Sequence, residues 1–211
     1  MTRRGPLLLV GVVVVLALFG VWYGEYVAHS RKFAGGTYIQ ILGSSPYVGR
    51  SASNFTLPDV RTGEPISLID SSARKPTVVF FGSFGCDLFC QQVDDIQRLY
   101  WKYRESARFV FVCVRDAGHP NPNLDEFLRT RPGQDQSSRI RNALDYYAIE
   151  MPCVIDGDDR RIEGMYSAYP ERLLIIDSEG IVYWDSTPGI SAAGLHLDEG
   201  ETQLRECLSS Q

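Results

Sequence analysis

One stretch of this sequence, residues 77–90, constrains the fold more than any other. Residues 78–81 are consecutive β-branched and aromatic side chains, a pattern typical of a central strand that is covered on both faces. Glycines and a serine then interrupt the run, and Cys86 follows them. Beyond Cys86, apolar residues recur every three or four positions, which is helical spacing. The sequence therefore predicts a buried strand, a tight loop that carries a cysteine, and a helix.

Cys86 stands where the predicted strand gives way to the predicted helix. Free backbone N–H groups and the helix dipole favour an anion at such a position, so a thiolate there can act as a nucleophile. Cys90 follows four residues later and shares a helical face with Cys86 if Cys86 belongs to the first turn. Three interpretations stay open: Cys90 is a resolving or accessory thiol, both sulfurs are soft metal ligands, or both cysteines only pack.

The first 27 residues predict a cytoplasmic stub and a membrane anchor. Residues 5–24 carry no charge and are long enough to cross a bilayer as a helix. The run exceeds the apolar region of a signal peptide, and no small-residue cleavage site follows it. Arg3 and Arg4 precede the span and favour a cytoplasmic N-terminus. We therefore expect a single-pass membrane protein, with residues 28–49 as a tether and residues 50–211 as one domain on the extracytoplasmic side.

Charge and cysteine content narrow the classes of partner. The chain has 21 basic and 26 acidic residues, a formal net charge of −5. This balance favours no nucleic-acid partner. The chain has five cysteines, so at least one thiol has no partner within the chain. A homodimer is compatible with this sequence.

The remaining elements predict an α/β sheet with helices on both faces. A capping box formed by Asp198 and Glu201 is expected to begin a final helix. The acidic run at residues 156–159 lacks the ligand register of a calcium loop and is predicted to be a turn. In chain order, the other expected elements are short strands within residues 54–60 and 62–68, a helix after Cys86 that runs to about residue 106, a strand at 109–114, helices at 124–130 and around 140–147, a strand at 151–156, and a hairpin from 173 to 184.

This order of elements resembles the thioredoxin fold, in the broader form that includes the peroxiredoxins. Four blocks sharpen the match and together resemble the iodothyronine deiodinase family over roughly residues 80–189. The blocks are FGSFGC at 81–86, RDAGHP at 115–120, MPCVID at 151–156, and YSAYPERL through GIVY at 166–183. The last block is the most specific of the four.

The resemblance implies an enzyme that uses a thiol and binds no cofactor. Cys86 stands where the animal enzymes carry selenocysteine, which implies a nucleophile for a carbon-bound iodine. His119 matches a histidine that contacts substrate, and implies a catalytic group that supplies a proton or a hydrogen bond to a phenol. Arg172 matches an arginine implicated in holding the carboxylate end of the substrate. The implied partners are a small halogenated phenol and an external thiol reductant or thioredoxin-like protein.

Four further residues are candidates for the same site. Ser83 and Phe84 precede Cys86 in the loop and are expected to contact substrate. Pro152 is a candidate for the cis proline that faces the active cysteine in the thioredoxin fold. Cys153 beside it is then a candidate resolving thiol, with a buried strand residue as the alternative.

Two other functional classes remain open. Cys86 and Cys90 also resemble the cysteine pair of membrane-anchored copper chaperones of cytochrome oxidase assembly, since two thiolates suit Cu(I). The expected hairpin within residues 54–68 and Ser83, three residues before Cys86, are compatible with a peroxiredoxin-like or general thiol-disulfide oxidoreductase. The deiodinase-like interpretation, which predicts no metal, is the favoured one.

Overall fold

The structure, a computed structural model, describes residues 45–70, 72–114, 135–168, 171–186 and 195–210. Its centre is a mixed sheet of five strands: β3 (Thr77–Gly82), β4 (Arg108–Cys113), β5 (Cys153–Ile155), β6 (Arg172–Ile176) and β7 (Val182–Asp185). The strand order is β5-β4-β3-β6-β7. Strands β3, β4 and β5 are parallel, and β6 and β7 run antiparallel to their neighbours.

Strand β3 is the middle strand of this sheet. All six of its residues are buried, as the apolar run predicted. Phe80 is opposite Phe111 of β4, and Phe81 is opposite Arg172 of β6. The carboxyl end of β3 therefore opens onto the loop that carries Cys86, with strands on both sides to hold it.

Helices cover both faces of the sheet, as predicted. The described helices are α1 (Asp87–Gln91), α2 (Val93–Tyr103), α3 (Gln136–Tyr146), α4 (Arg161–Tyr166) and α5 (Leu197–Ser209). Apolar residues of α2, α3 and α5 pack with Phe80 on one side, which we call the α2 face. Apolar residues of α4 pack with Phe81 on the other side, the α4 face. Because side chains alternate along a strand, successive residues within β3 point to opposite faces of the sheet, and the same holds within β6.

A small hairpin adds two strands beside β5. Strands β1 (Thr56–Pro58) and β2 (Pro65–Ser67) pair antiparallel, and Gly63 between them has φ +75°. The carboxylate of Asp59 accepts the Cys153 N–H at 3.0 Å. Burial acts to raise the pKa of Asp59, but hydrogen bonds from Thr62, Cys153 and Arg61 outweigh it and leave the pKa lowered. The ionised carboxylate thus fastens the hairpin to the sheet.

Residues 45–52 run alongside the hairpin that β6 and β7 form. The Val182 N–H donates to the Arg50 carbonyl, and the Val182 carbonyl accepts from Gly49 N, both at 2.9 Å. Ala52 N donates to the Gly180 carbonyl at 2.8 Å. This segment covers part of an edge strand that would otherwise expose unpaired backbone groups.

Some predicted helix boundaries are wrong, and others fall outside the described residues. The helix after Cys86 is broken at Gln92, which separates α1 from α2. Helix α5 has His196, not Asp198, at its N-cap, and no side chain caps it, so the capping box is not formed. The anchor at residues 5–24 and the helix at 124–130 lie outside the described residues. Within the described ranges, no helix has the length and apolar character needed to cross a bilayer.

Candidate functional site

Cys86 is the N-cap residue of α1, directly after the loop that leaves β3. Its backbone is extended, with φ −99° and ψ 116°, and its N–H donates to the Ser83 carbonyl at 3.0 Å. The Cys86 carbonyl accepts the Cys90 N–H at 3.0 Å, which closes the first turn of the helix. The side chain is half-buried against the apolar cluster of the α2 face. The strand, the loop and the helix therefore place this thiol as the sequence predicted.

Ser83 and Phe84 build the loop from its inner side. Ser83 is 3% exposed, and its Oγ accepts the Gly85 N–H at 3.0 Å. Phe84 is 5% exposed and stacks on Tyr147 with ring centroids 5.7 Å apart. It also packs edge-on against Phe111. Both side chains are buried and hold the loop in shape, and their contact with substrate stays a prediction.

Gly82 is needed because the ring of Phe89 packs directly on its Cα. A Cβ at this position would lie 2.2 Å from two ring carbons of Phe89. Phe89 is itself 1% exposed and cannot turn away without disturbing the core. The close approach of Gly82 and Phe89 thus sets how near α1, and with it Cys86, sits to the end of β3.

We expect Gly82→Ala to destabilise the protein by about 1–3 kcal/mol, the usual cost of overpacking a core. The rate at which iodoacetamide alkylates Cys86 should change as well, because α1 must shift. Urea unfolding and peptide mass spectrometry measure the two effects. Gly164→Ala is the matched control, since no atom lies within 4 Å of a Cβ there. If both variants unfold at the same urea concentration as the parent, the contact with Phe89 does not constrain the loop.

Pro152 does not face Cys86. It precedes β5, the edge strand, and β4 separates β5 from β3. Since the strands are parallel, Pro152 lies towards their amino ends, whereas Cys86 lies beyond the carboxyl end of β3. The strand antiparallel to β3 is β6, and the proline that precedes β6 in the sequence is Pro170, which lies outside the described residues. The prediction for Pro152 is therefore wrong.

Cys153 is a buried strand residue. It is fully buried in β5, and burial strongly raises the pKa of its thiol. A protonated, buried thiol does not resolve a disulfide, so the alternative interpretation of Cys153 holds. Cys90 is half-buried, and its Sγ donates to the Phe84 carbonyl at 3.4 Å. Its role as an accessory thiol stays a prediction.

Arg172 is enclosed by protein groups. Its Nε and Nη2 donate to the two carboxylate oxygens of Asp185 at 2.6 and 2.8 Å, and its Nη1 donates to the carbonyls of Tyr166 and Ser167. Its guanidinium also lies over the ring of Tyr47, 4.8 Å from the centroid. The side chain is 2% exposed. With its donors engaged in this way, Arg172 fixes the structure and does not offer a fork to a ligand.

The register of the sheet explains why Arg172 does not lie beside Cys86. Arg172 is opposite Phe81, whose side chain belongs to the α4 face. Cys86 packs on the α2 face. Arg172 therefore lies across the sheet from the thiol with which it was expected to share a substrate. His119, the other predicted partner of Cys86, lies outside the described residues, so its role stays a prediction.

The comparison with known families decides the affiliation of this chain. A sequence profile described as iodothyronine deiodinase matches residues 38–204. The chain belongs to the iodothyronine deiodinase family. The resemblance found in four blocks of the sequence is therefore confirmed, and the family match extends well beyond those blocks.

Among the deiodinase relatives, the thyroxine 5-deiodinase of Sparus aurata is 26% identical over 174 residues, covering 79% of this chain and 60% of its own length. The type II iodothyronine deiodinase of Aquarana catesbeiana is 26% identical over 133 residues, covering 58% of this chain and 50% of its own length. The chain thus spans about half to three fifths of the length of these relatives.

A solved structure from Chlorobium tepidum shows the fold of this deiodinase-family chain. It is described as a thiol:disulfide interchange protein of the thioredoxin family, and it matches with a TM-score of 0.53 at 15% identity. The match covers 79% of this chain and 99% of the other. At this identity the likeness concerns the fold alone, and it confirms the thioredoxin-like α/β fold.

The deiodinase-family site contains a carboxyl group that sequence reasoning missed. Glu171 precedes β6 and continues the alternation that puts Leu173 on the α2 face, the face of Cys86. It is half-buried, and burial raises its pKa, although a hydrogen bond from Gln92 acts in the other direction. The only signal for it in the sequence is its place beside Arg172 in the most specific of the four blocks.

Within the described residues, no group of three or more His, Cys, Asp or Glu side chains is placed to hold a metal ion. Asp156 of the acidic run instead accepts the backbone N–H groups of Ile162 and Glu163 at 3.1 and 2.7 Å. It thereby satisfies free donors at the start of α4. This buried carboxylate explains α4, a helix that apolar periodicity did not predict.

Proposed function

We propose that this protein is a membrane-anchored, thiol-dependent oxidoreductase in which Cys86 removes a halogen from a small aromatic molecule. One observation carries the proposal: the thiol of a deiodinase-family chain stands half-buried at the carboxyl end of the central strand, ahead of a helix. Ligands of open α/β sheets bind at this end of the strands. This position supports the approach of a small substrate to the thiol.

The chemistry needs a thiolate, a proton and an external reductant. The Cys86 thiolate attacks the halogen, an S–X bond forms, and the C–X bond breaks with its electron pair left on carbon, which takes a proton. His119 is the proposed proton donor. A first reductant thiol displaces halide to give a mixed disulfide, and a second releases Cys86. The net reaction converts the aryl halide and two thiols into arene, hydrogen halide and a disulfide, so no bound cofactor is required.

The proposed setting is a membrane surface. Residues 5–24 would span the bilayer with the N-terminus in the cytoplasm, residues 28–49 would form the tether, and the domain would lie outside the cytoplasm. The reductant would be a small thiol or a thioredoxin-like protein. A homodimer is compatible with this arrangement and is decided by measuring the mass of the purified full-length protein by light scattering.

The geometry argues against a general disulfide oxidoreductase with a C-x-x-C motif. The residue three positions after Cys86 is Phe89, which is 1% exposed in the core. Cys90 occupies the next position and donates to a backbone carbonyl. A second thiol in the usual C-x-x-C place, where it would lower the pKa of the first, is thus replaced by an apolar ring.

A parallel turnover assay tests the proposal. The full-length protein is given dithiothreitol together with an iodinated phenol, hydrogen peroxide or a mixed disulfide, and release of iodide or oxidation of dithiothreitol is followed. We expect iodide release above the rate with dithiothreitol alone. Turnover of peroxide or disulfide without iodide release would favour the other thiol chemistries instead. Retention of one Cu(I) against a chelator, dependent on Cys86 and Cys90, would favour the copper chaperone.

A further inference from the structure

Gln92 connects three segments around the Cys86 loop. Its Nε2 donates to the Leu88 carbonyl at 2.8 Å and to Oε2 of Glu171 at 3.3 Å. Its Oε1 accepts the Leu195 N–H at 2.8 Å. Leu88 is in α1, Glu171 directly precedes β6, and Leu195 precedes α5. One side chain at the break between α1 and α2 therefore ties the turn that carries Cys86 to the sheet and to the last helix.

Glu171 is the only one of these partners that can change its charge. Among the residues that the structure describes, Gln92 is the group that hydrogen-bonds its carboxyl, and no cation pairs with it. Burial raises the pKa of a carboxyl that has no counter-charge, so such a group takes up a proton at a higher pH than an exposed carboxyl does. Its ionised form also accepts a hydrogen bond about twice as strong as its neutral form does.

We propose that Glu171 is a positioning residue for Cys86, whose ionised carboxylate holds Gln92 and through it the turn on which the thiol is carried. The inference rests on the proposed role of Cys86 as nucleophile. When Glu171 takes up a proton, the bond to Gln92 weakens, and the Leu88 carbonyl loses a partner that is fixed in place. The sulfur is then held less firmly for attack, so the rate falls as the pH falls through the pKa of Glu171. Burial raises that pKa above the ordinary range of a glutamate.

The segments joined by Gln92 carry other titratable groups, which the test must separate from Glu171. They are the thiols of Cys86 and Cys90, Asp94 and Asp95 in the first turn of α2, His196 at the N-cap of α5, and Asp198 and Glu199 in its first turn. Arg172, next to Glu171 in sequence, is paired with Asp185 on the opposite face.

The test is the rate at which iodoacetamide alkylates Cys86 in the full-length protein. Peptide mass spectrometry measures this rate between about pH 5 and pH 8. Thiolate formation alone gives a slope of one when log rate is plotted against pH. We expect the parent protein to show a steeper acid limb, because protonation of Glu171 slows the reaction further. Glu171→Gln should give a slope of one, with a rate roughly three- to tenfold lower near neutral pH that meets the parent curve at low pH.

Gln92→Met removes the connection and keeps the side-chain volume, so it should abolish the steep limb, and the double variant should lose no more than either single one. Asp94→Asn and His196→Gln are the matched controls and should retain it. A parent slope of one, or a steep limb that survives in Glu171→Gln, overturns the proposal. The readout needs no aryl halide and no turnover, so a failed turnover assay and a failed positioning role are distinguishable. Urea unfolding of each variant identifies any loss of fold.

Discussion

Replacement of Cys86 by serine is expected to abolish turnover, with a loss of at least about 1,000-fold, because a hydroxyl is far less nucleophilic than a thiolate. The fold should survive, since the side chain is half-buried and the exchange is nearly isosteric. Iodide release with dithiothreitol measures the effect, and iodoacetamide labelling at position 86 should disappear. The free energy of unfolding, measured in urea, should change by less than about 1 kcal/mol.

Cys90→Ser and Cys207→Ala are the controls for the Cys86 variant. Cys207 is buried in α5, and its replacement should leave turnover at saturating dithiothreitol close to that of the parent. Cys90→Ser separates two roles, because an accessory thiol would be dispensable with a small reductant and needed with a protein reductant. Full turnover by Cys86→Ser would show that this thiol is not the nucleophile, and the enzymatic proposal would then fail.

Replacement of Arg172 by methionine is expected to destabilise the protein by about 3–5 kcal/mol. The change leaves the carboxylate of Asp185 buried without its bidentate partner, and an uncompensated buried charge is strongly unfavourable. It also leaves the carbonyl of Ser167 without the Nη1 donor. Since the stability of a domain is typically about 5–15 kcal/mol, the expected loss is a large part of the total. Urea unfolding measured by circular dichroism gives the value.

Two further variants make the Arg172 result specific. Arg98→Met breaks an exposed pair with Asp95 in α2 and should cost less than about 1 kcal/mol. Arg172→Met combined with Asp185→Leu removes both buried charges and should recover part of the lost stability. A normal unfolding curve for Arg172→Met, together with a raised KM for the iodinated phenol, would show instead that the arginine binds substrate.

The site could be predicted where it depends on neighbours in sequence. A buried strand, a loop with glycines, and a helix that begins after Cys86 all follow from local pattern, and the structure has each of them. The packing of Phe89 on Gly82 agrees with that pattern. The local pattern could not have specified this contact, because the contact requires the helix to fold back over the end of the strand.

The errors concern residues whose role depends on which strands become neighbours. Pro152 precedes a strand, as expected, but β5 pairs with β4 at the edge and not with β3. The role inferred for Arg172 assumed that it faces the same side as Cys86, whereas the β6 register turns it to the α4 face. Strand order and register are set by packing between distant segments, which one sequence does not display.

The sequence by itself determined the central strand, the place of Cys86 after it, the α/β class and the deiodinase family, because these follow from local periodicity and from blocks of contiguous residues. Only the tertiary structure decided that Arg172 is paired inside the protein, that Cys153 is buried, and that Gln92 links Glu171 to the Cys86 turn. These facts depend on burial and on contacts between residues 13 to 103 positions apart. The free energy of such contacts is fixed by the assembled core and not by any stretch of the chain alone.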